Sequence, residues 1–171
     1  MSDDGARAGG KAGPDVTIPT SERRMVRRVL YHWERLRRGR TLPAMRDVNP
    51  DRLPVDWTDC FAIPLAAAAT DPPFDFVGRS LVLDCDRDLT DEPVSAVPPG
   101  TLFEKATGCL AEALAERRPV IREGAFVHRS GDRILYRTVL LPFGDDGETV
   151  DYLLGAVSYR RIVLGGVEAI E

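Results

Sequence analysis

Two histidines and three cysteines are among the side chains of this 171-residue chain that could act as general bases, nucleophiles or metal ligands. His32 lies in an arginine-rich segment and His128 follows an alternating apolar segment, and neither belongs to a nucleophile or metal motif. We interpret both as ordinary surface or interface residues. Cys60, Cys85 and Cys109 form no CxxC or Cys/His pair, and free cysteine is commonly buried. The sequence therefore predicts small buried or half-buried thiols and no enzymatic activity.

An acidic stretch at residues 84–88, DCDRD, has the alternating aspartates that begin a calcium-binding loop. The pattern then fails, because Leu89 occupies the position of the required glycine and Ser95 that of the bidentate glutamate. No glycine-rich segment joins a strand to a helix in the manner of a phosphate-binding loop. We therefore expect a solvated acidic loop, no metal site and no nucleotide site of these types. The identity of any other cofactor is left unknown.

The charge of the chain is unevenly distributed. Its net charge is −4, yet residues 22–40 contain eight arginines against two glutamates, and residues 41–171 carry nine more negative than positive charges. A basic segment of this kind could bind nucleic acid or an anionic membrane. The same segment has a wide apolar stripe that includes Trp33, which favours packing on a sheet or on a second copy of the helix. Binding of nucleic acid or membrane is therefore the alternative hypothesis.

The basic segment predicts an amphipathic helix over residues 21–38. Ser21 is a suitable N-cap, Glu22 suits the positive end of the helix dipole, and Gly39 ends the helix. The apolar residues that recur at helical spacing are Met25, Val26, Val29, Leu30, Trp33 and Leu36. Residues 1–19 hold too few apolar side chains to form a core, so we expect a disordered tail followed by one domain over residues 20–171.

The remaining segments alternate between strand and helix patterns. Three prolines make residues 41–57 a connector, and strands are predicted at 59–65 and 74–78, followed by a helical turn at 80–84. A helix is predicted over 102–117, with a proline just beyond it. Strands at 120–129, 133–143 and 149–161 form an antiparallel meander, because turn-forming residues join them. The predicted fold class is α+β.

The middle strand of this meander is apolar on most of both faces. Alternation assigns Ile134, Tyr136 and Leu140 to one face, and Leu135, Val139 and Leu141 to the other. A sheet with two apolar faces needs a cover on each side. We expect the second cover to be the N-terminal helix or the same helix from a partner subunit.

Several short segments follow one another in an order and spacing that resemble a known family. They are YHWERLRRGRTLP at 31–43 with DVNP at 47–50, FDFVG at 74–78, DLT at 88–90, RTVLLPF at 137–143, the DG turn at 146–147 and LLGA at 153–156. These segments are similar to those of a PAS-like family found in many short alphaproteobacterial proteins, and the resemblance covers residues 23–160. It implies a five-stranded antiparallel sheet with helices on one face and the N-terminal amphipathic helix as a flanking element.

The resemblance also implies a sensory and signal-transduction module that acts by protein–protein interaction. It implies a homodimer formed by the apolar stripe of the N-terminal helix, Met25, Val26, Val29, Leu30, Trp33 and Leu36. A small-molecule ligand would occupy a cavity between the sheet and the helix at 102–117, with walls formed by Phe76, Leu81, Phe103, Leu110, Tyr136 and Leu140.

The ends of the chain add two expectations. No output domain precedes its end at Glu171, so another signalling protein is the expected partner. No run of about 18 apolar residues and no signal peptide is present, so we expect a cytoplasmic protein.

Overall fold

The computed structural model describes residues 20–66 and 70–162. The helices are α1 (Thr20–Arg37), α2 (Arg79–Cys85), α3 (Leu102–Thr107) and α4 (Leu110–Glu116), and the strands are β1 (Cys60–Pro64), β2 (Phe76–Val77), β3 (Val120–Val127), β4 (Arg133–Phe143) and β5 (Tyr152–Ile162). The tail predicted at residues 1–19, and residues 163–171 of the predicted domain, lie outside this range. No described helix is both long and apolar enough to cross a bilayer.

The strands form one antiparallel sheet in the order β2-β1-β5-β4-β3. The predicted meander of the last three strands is confirmed, and β4 pairs with β5 along its whole length, from Arg133 opposite Ile162 to Phe143 opposite Tyr152. β1 pairs with the other edge of β5, so the first and last strands of the described residues lie next to each other. Both α2 and the α3–α4 pair are inserted between β2 and β3.

The N-terminal helix predicted at residues 21–38 is present as α1. It begins one residue before Ser21, the predicted N-cap, and it ends where Arg38 and Gly39 adopt φ angles of 50° and 83°. Glycine favours this left-handed conformation because it has no Cβ. The stop signal that we assigned to Gly39 is therefore confirmed by the backbone.

The predicted helix at 102–117 is instead two helices. α3 starts from Thr101, whose Oγ1 accepts the N–H of Glu104 at 3.1 Å, and the helical path breaks at Gly108 and Cys109 before α4 begins. A glycine inside a helix weakens it, and Thr107 Oγ1 donates to the Phe103 carbonyl at the same turn. The strand predicted at 74–78 is also shorter than expected, at Phe76–Val77.

Each face of the sheet has its own hydrophobic cluster. The inner face, which we define as the one covered by α2, α3 and α4, includes Phe61, Leu140 and Leu153. The outer face is covered by α1 and the connector at residues 41–57, and Leu141 and Phe143 are among its buried strand residues. The prediction that both faces are covered is confirmed, and the second cover is the helix of the same chain.

Candidate functional site

The centre of the inner face is filled by three phenylalanine rings. Phe61 of β1, Phe74 just before β2 and Phe103 of α3 are fully buried, with ring centroids 4.8–6.1 Å apart. Tilted and edge-on arrangements at this separation are the favourable ones for aromatic pairs. Gly155 of β5 lies so close that an added Cβ would overlap the Phe61 ring. The rings therefore occupy the region between the sheet and α3 in which a ligand cavity was expected.

Five of the six residues predicted to line that cavity belong to the inner cluster. Leu81, Phe103 and Leu140 are fully buried, and Leu110 and Tyr136 are half-buried against the cluster. Their packing explains why the sequence presents them as apolar. Contact between these five residues and a ligand stays a prediction.

Phe76 requires a correction. Its side chain is 38% exposed and lies outside the inner cluster, where its ring meets the edge of Trp57 at a centroid distance of 6.1 Å. Side chains alternate between the faces of a strand, and in β2 it is Val77 that points into the inner cluster. Phe74 takes the core position that was assigned to Phe76.

An open cleft of about 700 Å³ lies at one end of the inner face, beyond the packed rings. It is bounded by α2, by the start of α3, by the turn between β3 and β4 and by the last residues of β5. Its apolar lining is Leu83, Leu102, Ile134 and Tyr159, and its polar lining is Ser80, Asp84, Asp86, His128, Arg129, Ser130 and Arg161. None of the six predicted cavity residues lines this cleft.

His128, which we expected to be a surface or interface residue, is a buried polar residue of the cleft wall, with only 6% of its side chain exposed. It starts the turn between β3 and β4: its backbone N–H donates to the Asp132 carbonyl at 2.8 Å, and its own carbonyl accepts from Gly131 at 2.7 Å. Its Nδ1 accepts the backbone N–H of Ser130 at 3.0 Å. A backbone N–H can only donate, so Nδ1 carries no proton and the neutral ring holds its proton on Nε2.

Asp84 joins three elements at this point. Its side chain is 8% exposed, and one oxygen, Oδ2, accepts the N–H of Phe103 at 3.0 Å in the first turn of α3. The other oxygen, Oδ1, lies 3.1 Å from His128 Nε2, although the two groups are not aligned as a hydrogen bond. Asp84 therefore links the end of α2 to α3 and to the β3–β4 turn.

The other aspartates of the DCDRD stretch have separate partners. Asp86 pairs with Arg129 at 2.7 Å, and Asp88 accepts from the N–H and the hydroxyl of Thr90 at 2.9 and 2.7 Å. The solvation predicted for this stretch holds for Asp86 and Asp88, which are exposed, and is wrong for Asp84, whose side chain is buried. Among residues 20–66 and 70–162, no three His, Cys, Asp or Glu side chains converge as ligands for a metal ion.

Ser130, His128 and Asp84 have the residue types of a serine-hydrolase triad, but their geometry differs from it. The Nδ1 atom that lies 2.8 Å from Ser130 Oγ already accepts the backbone N–H of the same serine. The hydroxyl itself donates to Asp132 Oδ2 at 3.0 Å. A serine nucleophile needs a base that is free to take its proton. This arrangement closes a turn and leaves no such base.

The three cysteines are buried, as predicted. Burial raises the pKa of the Cys60 thiol to about 12 and that of Cys85 to about 11, and it shifts the pKa of Cys109 in the same direction. Thiolate is the reactive form of cysteine, and such thiols are almost entirely protonated at neutral pH. None of the three has the electrostatic surroundings of a catalytic cysteine.

The apolar stripe of α1, predicted as a dimer interface, is used within the chain. Val29 and Trp33 are buried against the outer face, with Met25, Leu30 and Leu36 partly buried beside them, and Val26 is also buried. Trp33 Nε1 donates to the Pro142 carbonyl of β4 at 2.8 Å. A dimer that used these residues would require α1 to leave its own sheet.

The sequence did not reveal the pairing of Asp84 with His128. The two residues are far apart in the chain, and neither belongs to a motif whose spacing defines a site. The only available signals were an aspartate next to a predicted helical turn and a histidine next to a predicted hairpin. Their proximity depends on how α2 packs against the β3–β4 turn, which local patterns do not determine.

Comparison with known proteins gives a family match over most of the chain. A family model described as a PAS domain matches residues 22–158. No curated protein matches the chain.

Matches to solved structures include three LOV proteins at low identity. The LOV domain of a blue-light activated histidine kinase from Erythrobacter litoralis is 15% identical, with coverage of 60% of this chain and 95% of that domain and a TM-score of 0.42. A Rhodobacter sphaeroides LOV protein is 12% identical, with coverage of 64% and 62% and a TM-score of 0.42. The light-state structure of the photoreceptor Aureochrome1 LOV is 10% identical, with coverage of 63% and 83% and a TM-score of 0.43.

Proposed function

Because this chain belongs to the PAS domain family, we propose that it is a sensory module that transmits a signal to another protein and has no catalytic activity. The observation that supports this proposal best is the placement of α1 on the outer face of the sheet. One central strand, β4, contributes Leu140 to the inner cluster and Leu141 to the outer cluster that α1 covers. A change at the inner face therefore has a short physical route to the helix.

The signal in this proposal is a small molecule that binds in the cleft at His128. The central core position is occupied by aromatic rings, whereas the cleft has the volume and the mixed lining that small-molecule sites share. Leu83 and Tyr159 offer exposed apolar contacts, at 65% and 39% exposure, and Arg129 and Ser130 offer polar ones. The ligand class is therefore a small molecule with an apolar or aromatic part and at least one polar group.

Binding in this cleft would disturb the contacts by which Asp84 links α2, α3 and the β3–β4 turn. A ligand between α2 and the β3–β4 turn competes for the space next to Asp84 and His128, which lie 3.1 Å apart. Movement of that turn displaces the first residues of β4. β4 then carries the displacement to α1, and an altered position of α1 is what the partner protein detects.

Native mass spectrometry of the purified full-length protein tests this proposal, because it reports retained ligand and subunit number together. We expect a bound small molecule that is lost in Leu83→Glu, since a carboxylate would enter the apolar part of the cleft. Leu114→Glu is the matched control, because Leu114 is an exposed leucine on α4, at 39%, that does not line the cleft. Retention of the ligand in Leu83→Glu, or its loss in both variants, contradicts the assignment of the cleft.

The homodimer expected from the sequence belongs to this proposal in a modified form. Since the α1 stripe is buried on its own sheet, a dimer through these residues means that two chains exchange α1, each helix covering the partner's outer face. An exchanged dimer keeps the contacts of Trp33 and places them between chains. The subunit number from the same spectra distinguishes it from a monomer.

A further inference from the structure

The side of α1 that faces away from the sheet carries a strip of exposed arginines. Arg23, Arg24, Arg27 and Arg28 are all exposed, and their spacing places them on one side of the helix, opposite the buried stripe. Tyr31 lies on the same side and is 66% exposed, with the guanidinium of Arg35 5.8 Å from its ring centroid. We call this surface, made of these six residues, the basic strip.

The arginines of the basic strip differ in their ion pairing from those of the body of the protein, by which we mean the described residues after α1. Within the described part of the chain, Arg23, Arg24, Arg27 and Arg28 have no carboxylate within 4 Å. Eight arginines beyond α1 do have one: Arg40, Arg46, Arg117, Arg118, Arg122, Arg129, Arg137 and Arg161. An acidic protein thus compensates many of its body arginines and leaves a contiguous positive strip open to solvent. Like charges at this spacing destabilise a helix slightly, so the strip does not serve the stability of α1.

The orientation of the basic strip is fixed by the opposite side of the helix. Val29 and Trp33 are buried on the sheet, and the hydrogen bond from Trp33 to Pro142 prevents rotation of α1 about its axis. The apolar stripe and the basic strip therefore have separate tasks. Because the stripe packs on the sheet of the same chain, its presence does not exclude nucleic-acid binding by the opposite side of the helix.

We propose that the basic strip binds the phosphate backbone of double-stranded nucleic acid without sequence preference. Arginine binds phosphate oxygens through charge-assisted, bidentate hydrogen bonds, and contacts to phosphates carry no sequence information. Residues 41–171 carry nine more negative than positive charges, so the contact is limited to α1. The site therefore neutralises about four or five phosphates, one for each arginine of the strip.

An anionic membrane fits the same surface less well. Amphipathic helices bind bilayers by burying their apolar side in the lipid interface, and the apolar side of α1 is occupied by the sheet. Only the electrostatic part of membrane binding is left to the strip. Nucleic acid needs no apolar contact, so the observations favour it.

The test is binding of the full-length protein to a labelled DNA duplex of arbitrary sequence and to the matching RNA duplex, followed by fluorescence anisotropy at several salt concentrations. With four to five phosphates neutralised, log K falls against log salt with a slope of about −4, a loss of roughly 250-fold between 50 and 200 mM. Replacing Arg23, Arg24, Arg27 and Arg28 together by Gln leaves Arg35 alone, so the slope falls to about −1 and binding is almost lost. The four Arg→Lys replacements at the same positions keep most of the binding, because the charge is retained.

The matched control removes the same charge from the body. Arg52, Arg79, Arg87 and Arg133 have no carboxylate partner among the described residues either, and their joint replacement by Gln should leave duplex binding within about twofold. Circular dichroism confirms that each variant is folded. Absence of duplex binding at low salt, equal losses in the α1 and body variants, or binding to phosphatidylserine vesicles but to neither duplex would each overturn the proposal. Equal binding of the DNA and RNA duplexes supports backbone contact, and a strict preference for one base sequence contradicts it.

Discussion

Replacing Trp33 measures how strongly α1 is held on the outer face. The indole is 5% exposed and donates a buried hydrogen bond of 2.8 Å to the Pro142 carbonyl. Trp33→Phe keeps an aromatic ring but leaves this carbonyl without its donor, at a cost of about 1–3 kcal/mol. Trp33→Ala also removes the packed ring, so the free energy of unfolding should fall by about 3–5 kcal/mol in total.

Urea unfolding followed by circular dichroism measures both losses, with each variant studied at two protein concentrations tenfold apart. Trp57 supplies the control, because its Nε1 also donates to a backbone carbonyl, Pro50, at 3.1 Å, but at an exposed site where water can replace the bond. We expect Trp57→Phe to cost less than about 1 kcal/mol. Equal effects of Trp33→Phe and Trp57→Phe would refute the docking of α1. A wild-type midpoint that rises with concentration, and no longer does so in Trp33→Ala, would show that the stripe acts between chains.

Two further predictions concern the packed core and the absence of nucleophiles. Gly155→Ala should destabilise the protein by about 1–3 kcal/mol, because the new methyl group meets the Phe61 ring. Gly108→Ala is the control and should be neutral or slightly stabilising, because its Cβ would make ordinary contacts at 3.5 Å. Equal urea midpoints for the two variants would contradict the packed core. Since burial raises the pKa of Cys60 and Cys85 above that of a free thiol, their contribution to stability is complete below about pH 8.5 and is lost as the pH rises through the folded values of about 12 and 11. At pH 8, iodoacetamide should therefore modify the three thiols only after unfolding, and a fluorophosphonate should not modify Ser130. Rapid labelling of the native protein, at a cysteine or at Ser130, would contradict the proposal that it is not an enzyme.

The sequence predicts most of the fold because its signals are local. α1 is specified by a helical apolar stripe that stops at Gly39. The β3–β4–β5 meander is specified by alternating apolar residues on either side of turn residues, and the structure contains both elements. The single helix predicted over 102–117 is wrong because the apolar spacing continues on both sides of Gly108 while the backbone breaks there. Phe76 was misassigned because β2 is only two residues long, so alternation had too few positions to show which phenylalanine points inward.

The candidate site is harder to predict because it depends on contacts between distant segments. Asp84 and His128 meet only after α2 has packed beside the β3–β4 turn, and neither residue has a neighbour in the sequence that indicates the other. The stripe of α1 shows a related ambiguity. The helical spacing of its apolar residues predicts that the stripe is buried. Whether it is buried on the sheet of its own chain or on a partner subunit depends on whether the connector at 41–57 lets α1 reach the outer face. Hydrogen bonds from Leu42 to the Gly147 carbonyl and from Gly144 to the Pro43 carbonyl, both 2.9 Å, fix that return.

The two clusters of the sheet are coupled because they share strands. β4 sends Leu140 inward and Leu141 outward, and β5 does the same with Leu153 and Leu154. A one-residue change in the register of β4 would exchange every inward and outward side chain, so the strand cannot shift in that way. A small displacement of β4 is therefore accommodated by tilting or sliding of the helices that cover the sheet. The inner helices are held by the aromatic core and by Asp84. In the proposed mechanism α1 is the cover that moves, because no described element packs on its basic strip and its displacement is exposed to a partner protein.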